Sequence, residues 1–139
     1  MKILLTGSSG MLGSNINFYA ARKFNIYGVY LHKPNPELSE QCRLDLCDSC
    51  GVGLLLDAVR PDAIIHCAAF TNVDECESNL GLARSINAAA TKGLVTAMRP
   101  GTRFIYISTD SVFDGRRGFY SEADSPHPLN NYALTKLEG

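Results

Sequence analysis

The feature that most constrains the fold is a glycine-rich loop that directly follows a short apolar segment. Residues 2–6 read Lys-Ile-Leu-Leu-Thr, and residues 11–23, beyond the loop, have helical spacing. A strand, a glycine turn and a helix in this order present free N–H groups and a positive helix dipole to a pyrophosphate. A turn that merely joins strand to helix is the alternative. We predict dinucleotide binding at G-x-x-G-x-x-G, through Gly7, Ser9, Gly10, Met11, Leu12 and Gly13.

Short apolar segments alternate with helical stretches along the whole chain. The spacing predicts helices over residues 11–23, 49–59 and 80–98. The predicted strands are Lys2–Thr6, Asn25–Tyr30, Cys42–Leu44, Ala63–His66 and Arg103–Ser108. Nearly continuous apolar runs are typical of strands buried on both faces of a parallel sheet. We predict one α/β domain over residues 1–139, a Rossmann-type doubly wound parallel sheet of about five strands in the order 3-2-1-4-5.

Charge and hydropathy exclude several classes of partner. The net charge of the 139 residues is −1, so no broad attraction to nucleic acid or to an anionic membrane is expected. The apolar run at residues 3–5 is far shorter than the ~20 residues of a membrane span. Thr6 and Gly7 interrupt it before it could form the core of a signal peptide. We expect a cytoplasmic protein without nucleic-acid or membrane partners.

Three of the five cysteines have a spacing that matches a metal signature. Cys42, Cys47 and Cys50 form C-x4-C-x2-C, the plant-type iron–sulfur pattern, and the last two could also form a redox pair. Reduced thiols that pack as small hydrophobes are the simpler interpretation. We favour it, and predict no metal site, because the same segment is given another role below.

The residues that follow the second predicted strand bear on the choice of cofactor. In Rossmann-type domains an acid about twenty residues after the glycine loop binds the ribose 2′-hydroxyl of NAD. Here the segment carries His32 and Lys33 and no carboxylate. Two side chains of this kind can contact a 2′-phosphate. We therefore predict NADPH as the cofactor, with NADH as the alternative.

Tyr132 and Lys136 stand four positions apart, on one face of a predicted helix. A free phenol, with a pKa of about 10, is a slow acid at neutral pH, and a nearby ammonium lowers that pKa. The same lysine can hold the nicotinamide ribose. Thr109 and Asp110 directly follow the fifth predicted strand, at the sheet edge where ligands bind, and a hydroxyl there can bind a substrate carbonyl. These residues predict the reduction of a ketone.

Four segments together resemble the extended short-chain dehydrogenase/reductases, and among them the dTDP-4-dehydrorhamnose reductases. They cover residues 5–13 (LTGSSGMLG), 66–77 (HCAAFTNVDECE), 107–115 (ISTDSVFDG) and 128–139 (PLNNYALTKLEG). The resemblance implies that Thr109, Tyr132 and Lys136 are the catalytic residues. It also implies that Thr109 and Asp110 bind the substrate. It also implies that Asn87 braces the active-site strand. The cofactor contacts that it implies are Asp45, Leu46, Ala68, Ala69, Tyr132 and Lys136.

The residue after Thr109-Asp110 separates the reductases from their relatives. Nucleotide-sugar dehydratases carry Thr-Asp-Glu at this place, and the additional acid helps to remove water from the sugar. Here the third residue is Ser111, so the second carboxylate is missing and reduction fits better. Ser111 also replaces the tyrosine usual in the reductases, and Ala133 replaces a common glycine; neither change removes a catalytic group.

The resemblance implies hydride transfer from NADPH to C4 of a dTDP-4-keto-6-deoxy sugar, a nucleotide-sugar substrate, with dTDP-L-rhamnose as product. This product serves polysaccharide biosynthesis. The alternative is a non-catalytic, NADP-binding subunit that resembles the regulatory subunit of methionine adenosyltransferase. Members of the family are longer than this chain. We therefore expect the last strands, most of the sugar pocket and any homodimer contact to lie outside these residues, and no turnover by these residues alone.

Overall fold

The computed structural model describes all 139 residues. Its strands are β1 (Lys2–Thr6), β2 (Asn25–Tyr30), β3 (Gln41–Arg43), β4 (Ala63–His66) and β5 (Arg103–Tyr106). They pair in parallel in the order β3-β2-β1-β4-β5, which confirms the predicted Rossmann-type sheet. The helices are α1 (Met11–Ala20), α2 (Ser49–Val59), α3 (Val73–Ser78), α4 (Leu80–Arg84), α5 (Ala90–Ala97) and α6 (Asn131–Glu138). None of them is long and apolar enough to cross a membrane.

The helix predicted over residues 80–98 is the main difference from expectation. It is divided into α4, a π-helical turn at Ser85–Ala89, and α5. A π-turn holds one residue more than an α-turn, which hydrophobic spacing does not reveal. The short α3 precedes it and was not predicted; the Asn72 side chain caps α3 by accepting from the Glu75 amide. The first helix and the fifth strand end earlier than predicted, at Ala20 and Tyr106.

The sheet is buried on both faces because its central strands are apolar at successive positions. Leu4 and Leu5 are both fully buried, although neighbouring side chains of a strand point to opposite faces. Leu4 lies in a cluster with α2 and α5, whereas Leu5 lies in a smaller cluster with the side of α1. On that second face, Ile105 of the outer strand β5 remains 47 % exposed.

A chain of buried hydrogen bonds crosses the core beside the apolar clusters. His66 Nδ1 lies 2.7 Å from the Thr6 hydroxyl, and Nε2 lies 3.1 Å from the Thr91 hydroxyl. The Thr91 hydroxyl donates its only proton to the carbonyl of Asn87, so it must accept from His66 Nε2–H. Nδ1 is then an acceptor, and Thr6 donates to it while accepting from the Ala68 amide. These partners require the neutral Nε2–H tautomer of His66.

The glycine loop is pressed against the start of its own helix and against the end of β4. Gly7 adopts φ +64°, and a methyl group there would lie 2.7 Å from the amide nitrogen of Ala68. A methyl group at Gly13 would overlap the carbonyl oxygen of Gly7. The loop therefore folds so tightly that backbone atoms occupy the space that a side chain at Gly7 or Gly13 would need.

We expect Gly13→Ala to destabilise the protein by about 1–3 kcal/mol, because the added methyl group displaces the Gly7 peptide. The measurement is the free energy of unfolding in urea. Gly53→Ala in α2 is the control: a Cβ there meets nothing within 4 Å, so it should stabilise the helix by up to about 1 kcal/mol. Equal effects of the two substitutions would contradict the crowding at Gly13.

We expect His66 to make the protein less stable in acid. Burial, together with the nearby Lys136 ammonium, lowers the pKa of His66 to about 4. The unfolded chain, with a histidine pKa of about 6.5, then binds more protons between these values, so stability falls as the pH drops from 6.5 to 4. Urea unfolding of wild type and His66→Gln should show the stability difference between them shrinking by about 3 kcal/mol over this range. A constant difference would refute a neutral His66.

Candidate active site

The carboxyl ends of the five strands bring most of the predicted site segments to one edge of the sheet. Parallel strands end on the same side, and the loops that follow them meet there. The glycine loop follows β1 at this edge, and residues 32–33 follow β2. Residues 45–46, 68–69 and 109–110 lie shortly after β3, β4 and β5. The sheet therefore places the predicted cofactor and substrate residues along one rim.

The loop after β1 has the properties that a pyrophosphate needs. Gly10 caps α1 without a side chain, and no acidic residue stands in the first turn of that helix. The first helical hydrogen bond runs from the Ser14 amide to the Gly10 carbonyl, so the amides of Met11, Leu12 and Gly13 remain free, whereas the Gly10 amide donates to the Gly7 carbonyl at 3.0 Å. Ser9 and Gly10 are exposed, and Met11 is 87 % exposed. This part of the chain fits a phosphate group.

The loop after β2 is anchored under the glycine loop by Asn35. Its side-chain amide donates to the Ser8 carbonyl at 2.9 Å, and Asn35 is only 2 % exposed. Gln41 holds the Asn35 backbone on both sides, through its own amide. His32 and Lys33 are exposed near the start of this anchored loop. No carboxylate stands in the loop before Glu37 that could pair with these two side chains in place of a phosphate.

The ends of β3 and β4 supply two further predicted contacts. Leu46 packs on the larger apolar cluster, while Asp45 is exposed and accepts from the Cys47 amide at 2.9 Å. Ala68 and Ala69 are half-buried, and the Ala68 backbone touches the glycine loop. Among the cysteines near β3, Cys42 is half-buried, and Cys47 and Cys50 are exposed free thiols. No three side chains of His, Cys, Asp or Glu are grouped as metal ligands.

The helix α6, which carries Tyr132 and Lys136, is held at both ends by charged side chains. The Glu77 carboxylate accepts from the Asn131 backbone amide at 2.6 Å and from its side chain at 3.0 Å. At the other end, Arg84 forms a 2.9 Å ion pair with Glu138. Glu77 lies in the 66–77 segment singled out from the sequence, yet its role was not predicted. Sequence spacing could not pair it with a residue 54 positions away.

The middle of α6 is tied to the sheet by Asn87 in the π-turn. The Asn87 amide group donates to the Thr135 hydroxyl at 3.0 Å and to the Phe70 carbonyl at 3.1 Å. Its oxygen accepts from the Phe70 amide at 2.8 Å. Thr135 passes the connection on by donating to the Tyr132 carbonyl at 2.9 Å. Asn87 thus braces both the loop after β4 and the backbone of Tyr132.

Tyr132 and Lys136 differ in their surroundings although they share a helix. Tyr132 is half-buried, and its hydroxyl makes no hydrogen bond within the protein, which leaves it free for a ligand. Lys136 is 3 % exposed and has its ammonium 4.0 Å from the centre of the Tyr106 ring. Burial lowers the pKa of Lys136 to about 8. Burial also raises the pKa of the Cys67 thiol to about 11.

Thr109 caps a short 3-10 helix, Asp110–Val112, that packs against α6. Its hydroxyl accepts from the Ser111 amide at 3.2 Å and donates to the Asp110 carboxylate at 3.3 Å. The donated bond is long and lies in an exposed place, so a carbonyl oxygen can replace Asp110 as the acceptor. The geometry therefore brings a hydroxyl donor, a phenol and an ammonium to neighbouring segments of one rim.

Two curated relatives match this chain over nearly its whole length. Methionine adenosyltransferase 2 subunit beta of Xenopus laevis is 36 % identical over 140 residues, which cover 99 % of this chain and 41 % of that protein. The probable low-salt glycan biosynthesis reductase Agl14 of Haloferax volcanii is 38 % identical, covering 100 % of this chain and 47 % of its own length. The chain therefore spans less than half the length of either relative.

Solved structures share the same fold. A hypothetical dTDP-4-dehydrorhamnose reductase from Sulfolobus tokodaii superposes with a TM-score of 0.93 at 38 % identity, over 100 % of this chain and 50 % of that one. The Bacillus anthracis dTDP-4-dehydrorhamnose reductase, solved with NADP, gives 0.84 at 33 % identity, over 99 % and 46 %. The resemblance inferred from the four sequence segments is thereby confirmed. The RmlD substrate binding domain model matches residues 1–139, and the chain belongs to that family.

Proposed function

We propose that this chain is the cofactor-binding part of an NADPH-dependent reductase of a nucleotide-linked 4-keto-6-deoxy sugar. The substrate would be dTDP-4-dehydro-L-rhamnose, and the product dTDP-L-rhamnose. The observation that carries the proposal is the pairing, on one rim, of a glycine loop suited to phosphate with Tyr132, Lys136 and Thr109. The reductases from Sulfolobus tokodaii and Bacillus anthracis support it, because they match nearly the whole chain at 33–38 % identity.

Each residue would have one task in the reduction. The bound cofactor would supply the hydride to C4 of the keto sugar. Tyr132 would donate its phenolic proton to the oxygen of that carbonyl, which becomes the hydroxyl of the product. The Lys136 ammonium would stabilise the resulting phenolate, and the Thr109 hydroxyl would orient the carbonyl by a hydrogen bond. Proton uptake from solvent would then restore Tyr132.

The amide groups at the start of α1 would bind the pyrophosphate, and the rim after β2 would select the cofactor. His32 and Lys33 would contact a 2′-phosphate, which only NADP carries. The anchoring of their loop by the buried Asn35 favours this, since a fixed loop loses little freedom on binding. The NADP that accompanies the Bacillus anthracis reductase supports the same preference.

A non-catalytic regulatory subunit is the second candidate. The 36 % identity to the beta subunit of methionine adenosyltransferase 2 favours it directly. Such a subunit would use the same cofactor rim without the chemistry of Tyr132. The two candidates therefore differ in whether the activity of the protein requires the Tyr132 phenol.

Removal of the Lys33 side chain tests the choice of cofactor. We expect Lys33→Ala to weaken NADPH binding about tenfold, the effect of losing one charge-assisted phosphate contact, with no change for NADH. The measurement is a calorimetric titration of the 139-residue chain with each cofactor. Lys23→Ala is the control, because this exposed lysine precedes β2 at the opposite edge of the sheet. Equal affinity of wild type for the two cofactors would contradict the preference.

Removal of the Tyr132 hydroxyl tests the role of the phenol. We expect Tyr132→Phe to lower the rate of NADPH oxidation on dTDP-4-dehydro-L-rhamnose by about 10²–10⁴, while NADPH affinity stays unchanged. The rate is measured for the chain alone, where we expect none, and for the chain joined to the part of a dTDP-4-dehydrorhamnose reductase that it does not cover.

Tyr19→Phe serves as the matched control, because Tyr19 is 74 % exposed on α1, away from Tyr132 and Lys136. A joined protein that keeps its rate after Tyr132→Phe would refute the role of the phenol. Stimulation of a methionine adenosyltransferase that survives the same substitution would favour the regulatory candidate instead.

A further inference from the structure

Tyr106 contacts Lys136 at both ends of the lysine. The ammonium lies 4.0 Å from the centre of the Tyr106 ring, and the Tyr106 hydroxyl donates to the Lys136 carbonyl at 3.1 Å. Tyr106 is the last residue of β5, and the His66 ring stacks on it with centres 5.9 Å apart and planes at 25°. One side chain of the rigid sheet thus touches both the charge and the backbone of Lys136.

Few other contacts compensate the Lys136 ammonium for the water that it loses on burial. No carboxylate lies within 4 Å of it, and it makes no hydrogen bond within the protein. The ionisable groups that act on it are the His66 imidazole at the end of β4 and the Cys67 thiol directly after that strand. Tyr132 stands four positions earlier on the same helix. His66 is held neutral, and the pKa of Cys67 is raised, so neither supplies an opposite charge. The electron-rich face of an aromatic ring attracts a cation in such a setting.

We propose that Tyr106 is the positioning residue for Lys136, holding the ammonium on its ring face and the helix backbone through its hydroxyl. The ring offers attraction without a negative charge, so it keeps the lysine cationic without trapping it in an ion pair. The ammonium can then form a contact with a ribose hydroxyl or a phenolate with only a small loss of free energy. This functional consequence rests on the proposed function, in which Lys136 serves the cofactor and Tyr132; the contact itself does not.

Two substitutions separate the two contacts. Tyr106→Phe keeps the ring and removes the hydroxyl, whereas Tyr106→Leu removes both. Protons above the face of an aromatic ring resonate upfield, so the Lys136 ε-methylene protons report the contact directly. The chain is labelled with ¹³C-lysine, and the Lys136 signal is identified by its loss in Lys136→Arg. NMR spectra are recorded as a function of pH without any cofactor.

We expect the Lys136 ε-protons to be shifted upfield in wild type and in Tyr106→Phe, and to return to ordinary positions in Tyr106→Leu. The proton affinity of Lys136 should fall about tenfold in Tyr106→Leu, because burial then acts without the ring, and should change little in Tyr106→Phe. NADPH should bind more tightly to Tyr106→Phe than to Tyr106→Leu.

An ordinary position of the wild-type ε-protons would overturn the proposal, as would the same proton affinity in the Phe and Leu variants. Tyr106→Met is the second non-aromatic variant if Tyr106→Leu does not fold, and the wild-type spectrum decides without either. If wild type binds no NADPH, the proposed function fails, while the ε-proton shift still reports whether Tyr106 holds the ammonium.

Discussion

Asn87 donates to Phe70 on the sheet side and to Thr135 on the helix side, so this buried amide fixes the middle of α6 between the Glu77 contact and the Arg84 ion pair at its two ends. The α6 residues that face inward are Ala133, Thr135 and Lys136, which contribute little apolar area. Hydrogen bonds and ion pairs therefore position this helix. Polar contacts in a buried setting are directional, so they fix the rotation of a helix better than apolar contacts do. The π-turn places Asn87 where both partners can be reached.

The sequence predicted what depends on neighbours along the chain. The strand, glycine loop and helix at residues 2–13 are local, and so is the i, i+4 relation of Tyr132 and Lys136. The strand order followed from general rules of βαβ connection, and the structure confirms it. Those same rules place the rim residues together, which is why segments more than a hundred positions apart could be assigned to one site.

The parts that were not predicted depend on pairs that only folding brings together. Tyr106 was simply a member of an apolar strand, and its contact with Lys136 spans 30 positions. The pairing of Glu77 with Asn131 spans 54. The π-turn was not predicted, because one added residue changes the spacing of hydrophobic residues by less than that spacing varies between ordinary helices. Hydrogen-bond direction at His66 also needs the positions of both threonines before a tautomer can be assigned.

The outer position of β5 leaves one edge of the sheet open. Its free edge presents unpaired backbone groups, and the side chain of Ile105 leaves apolar surface beside it. Such an edge can add a strand from another molecule. A strand from another molecule would occupy the same backbone groups of β5 that a sixth strand of the sheet would use, so only one of the two pairings can form.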